Sequence, residues 1–435
     1  MTKSRIPAGA GETSLALPNR DLLERLGQIA HHLGTRSFLV GGPVRDLILG
    51  TAPGDSPQWD SPLPDLDIAV EEGSREFGAA VAKKLGGRFV FHSRFLSGSV
   101  QLLSPPSSLL PSHIDITQTR AETYEQPAVL PAVRPASIVG DLGRRDFTIN
   151  SMALELTPGS FGAFIDPFDG RADVAQGRVR VLHARSFIDD PTRIFRCIRF
   201  AVRLGFKTEP QTLGLLRSAV EQRLPAFLTP ERILYELRLV CAEPRVAPMV
   251  RALIRERVLE AAWRWTPPRG FLQGMAKLVR RVKSLGTVPG FRPADLLFIY
   301  WLSVLPVTDR FPIRKEERDA AEAVAGFGKL KPKLRRKLKP SAVYQALRGV
   351  PESALRILAV LESKAVSANI RAFLDGYSKV RIATTGADLR AAGLKPSPAY
   401  REILDKLLFA RLDGRIRTVT EERALLQRLT RQKGS

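Results

Sequence analysis

Two aspartates stand two residues apart in Pro64-Asp-Leu-Asp-Ile-Ala-Val70, a stretch whose apolar pattern predicts a strand from Asp65 to Val70. Side chains at i and i+2 of a strand leave the same face, so Asp65 and Asp67 converge while Leu66 and Ile68 turn to the core. Carboxylates held that close repel, and a cation between them relieves the repulsion. Hard oxygen ligands with room left for water and phosphate point to Mg²⁺. The competing reading is a pair of solvated acids on an open sheet face. Asp115, in His113-Ile-Asp-Ile-Thr117, is a third carboxylate on a later strand, either completing the metal site or simply facing outward.

A phosphate site is legible just upstream. Phe38-Leu-Val-Gly-Gly-Pro-Val-Arg-Asp46 reads as an apolar strand, two glycines, and a helix with proline in its first turn. Gly41 and Gly42 allow close backbone approach, a helix N-terminus offers unpaired N–H groups to phosphate, and Arg45 would add a charged fork one turn in. Taken alone, the glycines read first as a plain tight turn.

Arginines crowd two later segments. Arg144, Arg145, Asp146 and Asn150 lie together in Gly140–Ala153, where Asp146 pairs with or caps a neighbour and Arg145 reaches toward triphosphate or ribose. In Ser186–Arg203, Asp190 before Pro191 reads as a helix cap. Wound at 3.6 residues per turn, Arg196, Arg199 and Arg203 then share a face with Arg193 and Asp190 at its margin, opposite Ile194, Cys197, Ile198 and Ala201. Such a face is either a salt-bridged surface or a nucleotide and phosphate site.

The elements that must position these residues follow from patterning. Residues 1–18 show no periodicity and are expected to be a disordered lead. Residues 19–158 alternate helices (Leu22–Leu33, Pro43–Leu49, Glu76–Leu85) with strands (Ser37–Val40, Asp65–Val70, Arg88–His92, Ser99–Leu103, His113–Thr117), an α/β or α+β domain. Beyond about residue 186 the text is almost wholly helical, broken at prolines. The length of 435 residues implies several modules, and 67 Lys+Arg against 44 Asp+Glu leave a net charge of +23. An excess that large is costly unless the partner is a polyanion, with nucleic acid favoured over a membrane surface. No apolar run of membrane-spanning length or signal-peptide core occurs. Cys197 and Cys241, in helix-like apolar settings, read as buried reduced thiols of a cytoplasmic protein. Lys329–Lys339 holds seven basic residues in eleven, either a solvated linker face or a phosphate-contacting segment through Lys333, Arg335, Arg336 and Lys337.

The ordered motifs GGPVRD, DLD, RRDFTINSMA, DPFDG and DDPTRIFRCIRFAVRLGF resemble those of the class II tRNA nucleotidyltransferases and bacterial poly(A) polymerases. That group contains CCA-adding, CC-adding and A-adding enzymes. The resemblance covers about residues 36 to 240, through Leu228-Thr-Pro-Glu-Arg-Ile-Leu-Tyr-Glu-Leu237, and returns more weakly near Thr385–Leu389 and Arg401–Gly414. It implies an α+β fold: a polymerase-beta-like head with a mixed sheet (19–158), then a helical neck (159–250), body (251–340) and tail (341–435). It further implies that Asp65 and Asp67 hold the metals and that Gly42, Arg45 and Arg145 meet the nucleotide. Asp190 and Arg193 would hydrogen-bond the base, and Arg196 and Arg199 would support the triphosphate or that pair.

Cytosine and adenine each present an exocyclic amino donor beside a ring-nitrogen acceptor, which a carboxylate and a guanidinium complement. Guanine and uracil present an acceptor beside a ring N–H, which the same pair opposes. Asp190 as a mere cap competes with this reading. The expected substrates are CTP and/or ATP and the tRNA 3′ end, with no protein partner evident. A poly(A) polymerase on general RNA ends and a non-catalytic RNA-binding protein are the alternatives. The Asp189-Asp190 pair departs from the Glu-Asp of many members, and 57–64 and 104–112 read as extra loop material. Within the family, DDPTRIF and the segment from Thr385 resemble the A-adding branch.

Overall fold

The computed structural model describes residues 20–50, 66–103, 113–285, 288–306 and 311–431. The lead at 1–18, the loop stretches at 57–64 and 104–112, and Asp65 itself lie outside the described residues. The chain divides into two compact units at Thr266 and Pro267.

The first unit is built on a sheet of seven strands in the order β3-β4-β5-β2-β1-β8-β9. These are β1 (Ser37–Val40), β2 (Leu66–Val70), β3 (Gly87–His92), β4 (Ser97–Leu102), β5 (His113–Gln118), β8 (Ala153–Glu155) and β9 (Phe164–Ile165). A separate two-stranded ribbon, β6 (Arg120–Thr123) and β7 (Ala132–Pro135), follows β5. Neighbours in the large sheet are antiparallel except β2 and β5, which run parallel. Alternation does the sorting: Leu66, Ile68, Ile114 and Ile116 are buried, and the aspartates between them turn the other way. Helix α1 (Arg20–His32) packs Leu22, Leu23, Leu26 and Ile29 inward, and contacts both β1 and α3 (Ser74–Leu85). Helix α2 (Gly42–Leu49) follows β1 directly.

The same unit continues through α4 (Ile138–Gly143), α5 (Gly170–Gln176), the short α6 (Ser186–Asp189) and α7 (Thr192–Leu204) to α8 (Pro210–Glu221), α9 (Pro230–Ala242), α10 (Val246–Arg255) and α11 (Val258–Trp263). The apolar side of α7 buries Ile194, Phe195 and Cys197, and the helix packs on α9 and α10. Cys197 and Cys241 are buried and form no disulfide, and burial pushes the Cys197 thiol up to about 12.

The second unit is helical from Phe271–Arg281 to Val419–Arg431. One core gathers Phe327, Leu334, Val343, Leu347, Leu355 and Ile370, and another Leu389, Ile403, Leu407 and Leu426. Expected breaks at Pro340 and Pro398 are the first residues of helices, where the missing N–H costs no hydrogen bond. No helix among the described residues is long and apolar enough to cross a membrane.

Candidate active site

The floor of the site is the parallel β2–β5 ladder. Asp67 and Asp115 stand at the same rung, so their side chains leave the same face, and both line a cleft of about 570 Å³. No group of three His, Cys, Asp or Glu side chains placed to hold a metal occurs among the described residues, which do not include Asp65. Two adjacent carboxylates opening on a polar cleft have the donor chemistry that a hard divalent cation requires.

Gly41 forms the rim above Asp67. Its backbone sits at φ 76, ψ −131, which an L side chain rarely adopts, and a Cβ there would stand 2.8 Å from Arg145 Nη1 and 3.6 Å from Asp67 Oδ2. The missing side chain is therefore the space that brings Arg145 and Asp67 to the start of α2. Gly41, Gly42 and Pro43 all line the cleft, and the N-cap Gly41 supplies no side-chain cap.

Arg45 departs from its expected role as an open fork. It is 3% exposed, donates to Asp46 Oδ1 (2.8 Å) and Asn150 Oδ1 (2.6 Å), and lies over the Phe200 ring. Its guanidinium borders the cleft but is committed to holding α2 against Asn150.

The Gly140–Ala153 segment is a short helix, a single 3₁₀ turn at Thr148–Asn150, and β8. Arg144 and Arg145 both pair with Asp141, at 2.7 and 3.0 Å. Burial works against the Asp141 charge, but Arg145 and Arg144 outweigh it and hold the carboxyl below its usual range. Asp146 has the pairing job the sequence suggested: Oδ2 accepts from Arg196 (2.7 Å), and Oδ1 from the Phe147 amide and Asn150. Burial opposes its charge as well, yet Arg196 and the Asn150 amide bring its pKa down to about 2.

Helix α7 turns its arginines to the cleft, and each has a partner. Arg193 is buried, donating to Ser186 Oγ and to the Arg144 carbonyl, both at 2.7 Å. Arg199 lies 3.7 Å from Glu236 and 3.4 Å from Glu243, while Arg203 bonds Glu243. Arg199 Nε and Glu236 Oε2 are buried without a hydrogen-bond partner among the described residues, and burial pushes Glu236 up and Arg199 down. Arg45, Arg196, Arg199 and Arg203 all stand within 5.3 to 5.5 Å of the Phe200 ring centroid.

The two oxygens of Asp190 are bonded unequally. Its Oδ1 accepts from the Thr192 amide (3.0 Å), the Thr192 hydroxyl (2.7 Å) and Arg232 (2.7 Å). Oδ2 takes no hydrogen bond among the described residues, and Asp190 lines the cleft. Oδ1 thus ties the Asp190 carboxylate to the start of α7, and Oδ2 stands on the cleft side of the residue's bonding pattern without a donor among the described residues.

Several site residues carried no sequence signal. Glu122 and Tyr124 line the cleft from the β6–β7 ribbon, Tyr124 Oη donating to Glu122, which also pairs with Arg144. Strands of four residues with little apolar alternation leave no period to read. Glu236, Glu243 and Arg232 come from α9 and its end, where only the packing of α9 on α7 reveals their partners.

The head and cleft define a nucleotide-transferring enzyme, and the comparisons agree. A family model described as "Poly A polymerase head domain" matches residues 37–180. The A-adding tRNA nucleotidyltransferase of Halalkalibacterium halodurans is 32% identical over 392 residues, spanning 88% of this chain and 86% of that protein. That of Geobacter sulfurreducens is 32% identical over 441 residues, 95% of this chain but only 47% of the longer relative. A solved structure of the Thermotoga maritima CCA-adding enzyme complexed with tRNA superposes with a TM-score of 0.70 at 27% identity, covering 95% of each chain. The chain belongs to the tRNA nucleotidyltransferase and poly(A) polymerase family.

Proposed function

We propose that this enzyme adds nucleotides from ATP and/or CTP to the 3′ end of tRNA, terminal A addition being its main reaction, with the base chosen by Asp190 and Arg193. The carrying observation is the pair itself: an Asp190 oxygen with no donor among the described residues, in the same cleft as a guanidinium held by Ser186 and the Arg144 carbonyl. Oδ2 would accept from the exocyclic amine while Arg193 donates to the ring nitrogen. The A-adding relatives over most of the chain favour adenine as the final base.

In the reaction the 3′-hydroxyl oxygen forms a bond to the α-phosphorus, the α–β phosphoanhydride bond breaks, and pyrophosphate leaves. Asp67 and Asp115, with Asp65 two residues before Asp67 in the sequence, would hold Mg²⁺, which when bound acidifies the hydroxyl and offsets charge on the leaving group. Arg145, beside Asp67 and the start of α2, would meet the triphosphate. Arg196 and Arg199 line the same cleft and add positive field there.

The test is incorporation of labelled CTP and ATP separately on tRNAs ending at the discriminator base, in C, and in CC. A single A on the CC-ended tRNA is the expected product; a long ladder would instead indicate a poly(A) polymerase. In the same assay Arg193→Ala is expected to lower discrimination against UTP and GTP by roughly ten- to a hundredfold, since a good base-reading pair contributes about 1–3 kcal/mol. Unchanged preference would remove the base-reading assignment.

The basic run supports RNA contact more than a slack linker. Lys333, Arg335, Arg336 and Lys337 are exposed, while Leu334 between them is fully buried. Asn369 Nδ2 donates to the Leu334 carbonyl at 2.8 Å, and Lys331 pairs with Glu362. With a net charge of +23, tRNA affinity should fall steeply with salt, and neutralising the four exposed cations should flatten that slope. An unaltered slope would leave the run a solvated face.

A further inference from the structure

Asp190 has a second keeper that lies well outside its own helix. Arg232, in the first turn of α9, donates through Nη2 to Asp190 Oδ1 and through Nη1 to the Ala128 carbonyl, both at 2.7 Å. Ala128 sits between β6 and β7 with a left-handed backbone, φ 64, and its own N–H donates to the Asp189 carbonyl at 3.3 Å. One guanidinium thus joins three separate stretches of chain around the Asp189–Asp190 turn.

The arrangement on the carboxylate is asymmetric. Three donors converge on Oδ1, two from Thr192 and one charged from Arg232, and none among the described residues reaches Oδ2. A carboxylate with one oxygen saturated cannot rotate to exchange its oxygens without breaking three bonds at once. The charged bond is the strongest of the three.

We infer that Arg232 is a positioning residue for nucleotide selection: it holds Oδ1 of Asp190 so that Oδ2 alone faces the base. The inference rests on the reading of Asp190 and Arg193 as the base-selecting pair. Arg232 touches neither nucleotide nor RNA in this role. Without it the carboxylate keeps its Thr192 bonds but loses its fixed plane, and it can turn toward the guanidinium it should stand beside. The cost then falls on recognition before it falls on chemistry.

The experiment compares wild type with Arg232→Ala, Arg232→Gln, Arg232→Lys and Asp190→Asn. It reads kcat and KM for ATP on CC-ended tRNA, misincorporation of UTP and GTP, and thermal stability. Arg232→Ala is expected to raise KM about tenfold with kcat within about threefold, and to reduce discrimination about five- to tenfold. Arg232→Lys, which keeps the charge, should recover at least half of the lost discrimination. The lysine and glutamine variants retain most of the side-chain stem, and they read the same ratio should the alanine variant fail to fold. A lowered melting temperature with discrimination unchanged in every Arg232 variant, while Asp190→Asn alters it, overturns the positioning role and leaves the base-reading pair intact. If Asp190→Asn also leaves discrimination unchanged, the base-reading assignment falls and this inference with it.

Discussion

Asp67→Ala is expected to cut nucleotide incorporation by more than about a thousandfold while leaving tRNA affinity within about twofold. Asp67 shares a rung with Asp115 and lies at the rim where Gly41 makes room for Arg145. Its removal leaves one carboxylate at that rung, and loss of a metal ligand costs several kcal/mol in the transition state, which is three or more decades in rate. RNA affinity, by contrast, would come largely from phosphate contacts spread over a chain of net charge +23. Single-turnover incorporation alongside a binding titration separates the two quantities. Near-normal turnover in Asp67→Ala would remove the metal-site assignment, and a parallel collapse of binding would point to misfolding of the sheet.

The second large effect is on stability. Asp146→Asn should destabilise the first unit by about 2–3 kcal/mol, somewhat below the ~3–5 kcal/mol of breaking a fully buried ion pair, because Arg196 remains partly open to the cleft. Asp146 is buried and ties Arg196, the Phe147 amide and Asn150 to one carboxylate, and Asn150 in turn holds Arg45. The same pair sets an acid limit. A carboxyl lowered from 3.8 to about 2 by folding contributes stability that is present above the unfolded value and lost as pH falls through the folded one. The pH window is therefore about 4 down to 2, and the amount about 2 kcal/mol. Urea denaturation of wild type and Asp146→Asn at pH 7 and pH 3 checks this: the gap between them should narrow on acidification. A constant gap would mean that the Asp146 charge contributes nothing to the fold.

Much of the site was legible because its elements are short and strongly patterned. Ser37–Val40 forms the strand expected of it, and His113-Ile-Asp-Ile alternates cleanly enough to place Asp115 on the correct face. The arginine face of α7 follows from the 3.6-residue period alone. What spacing cannot supply is the partner of each charge. Arg45 reads as an open fork on α2, but Asn150, 105 residues later, takes its Nη1 hydrogen bond. Asp190 reads as either a cap or a ligand, because no pattern in sequence distinguishes its two oxygens. Arg232 and Glu243 meet their partners only where α9 lies beside α7, and that packing depends on side-chain shape more than on period.

The β2–β5 ladder also makes assembly of the site a proofreading step for the fold. A strand slipped by one residue turns every side chain to the opposite face. In this pair a slip of β2 would carry Asp67 into the interior and leave Leu66 and Ile68 in water, while β5 stayed in place. Mispaired chains would pay for a buried charge and an exposed core together, so few could persist as soluble, inactive bystanders. Recovery of catalytic activity after dilution from denaturant should therefore track recovery of the compact head molecule for molecule. A refolded sample would contain working enzyme and aggregate, with little between.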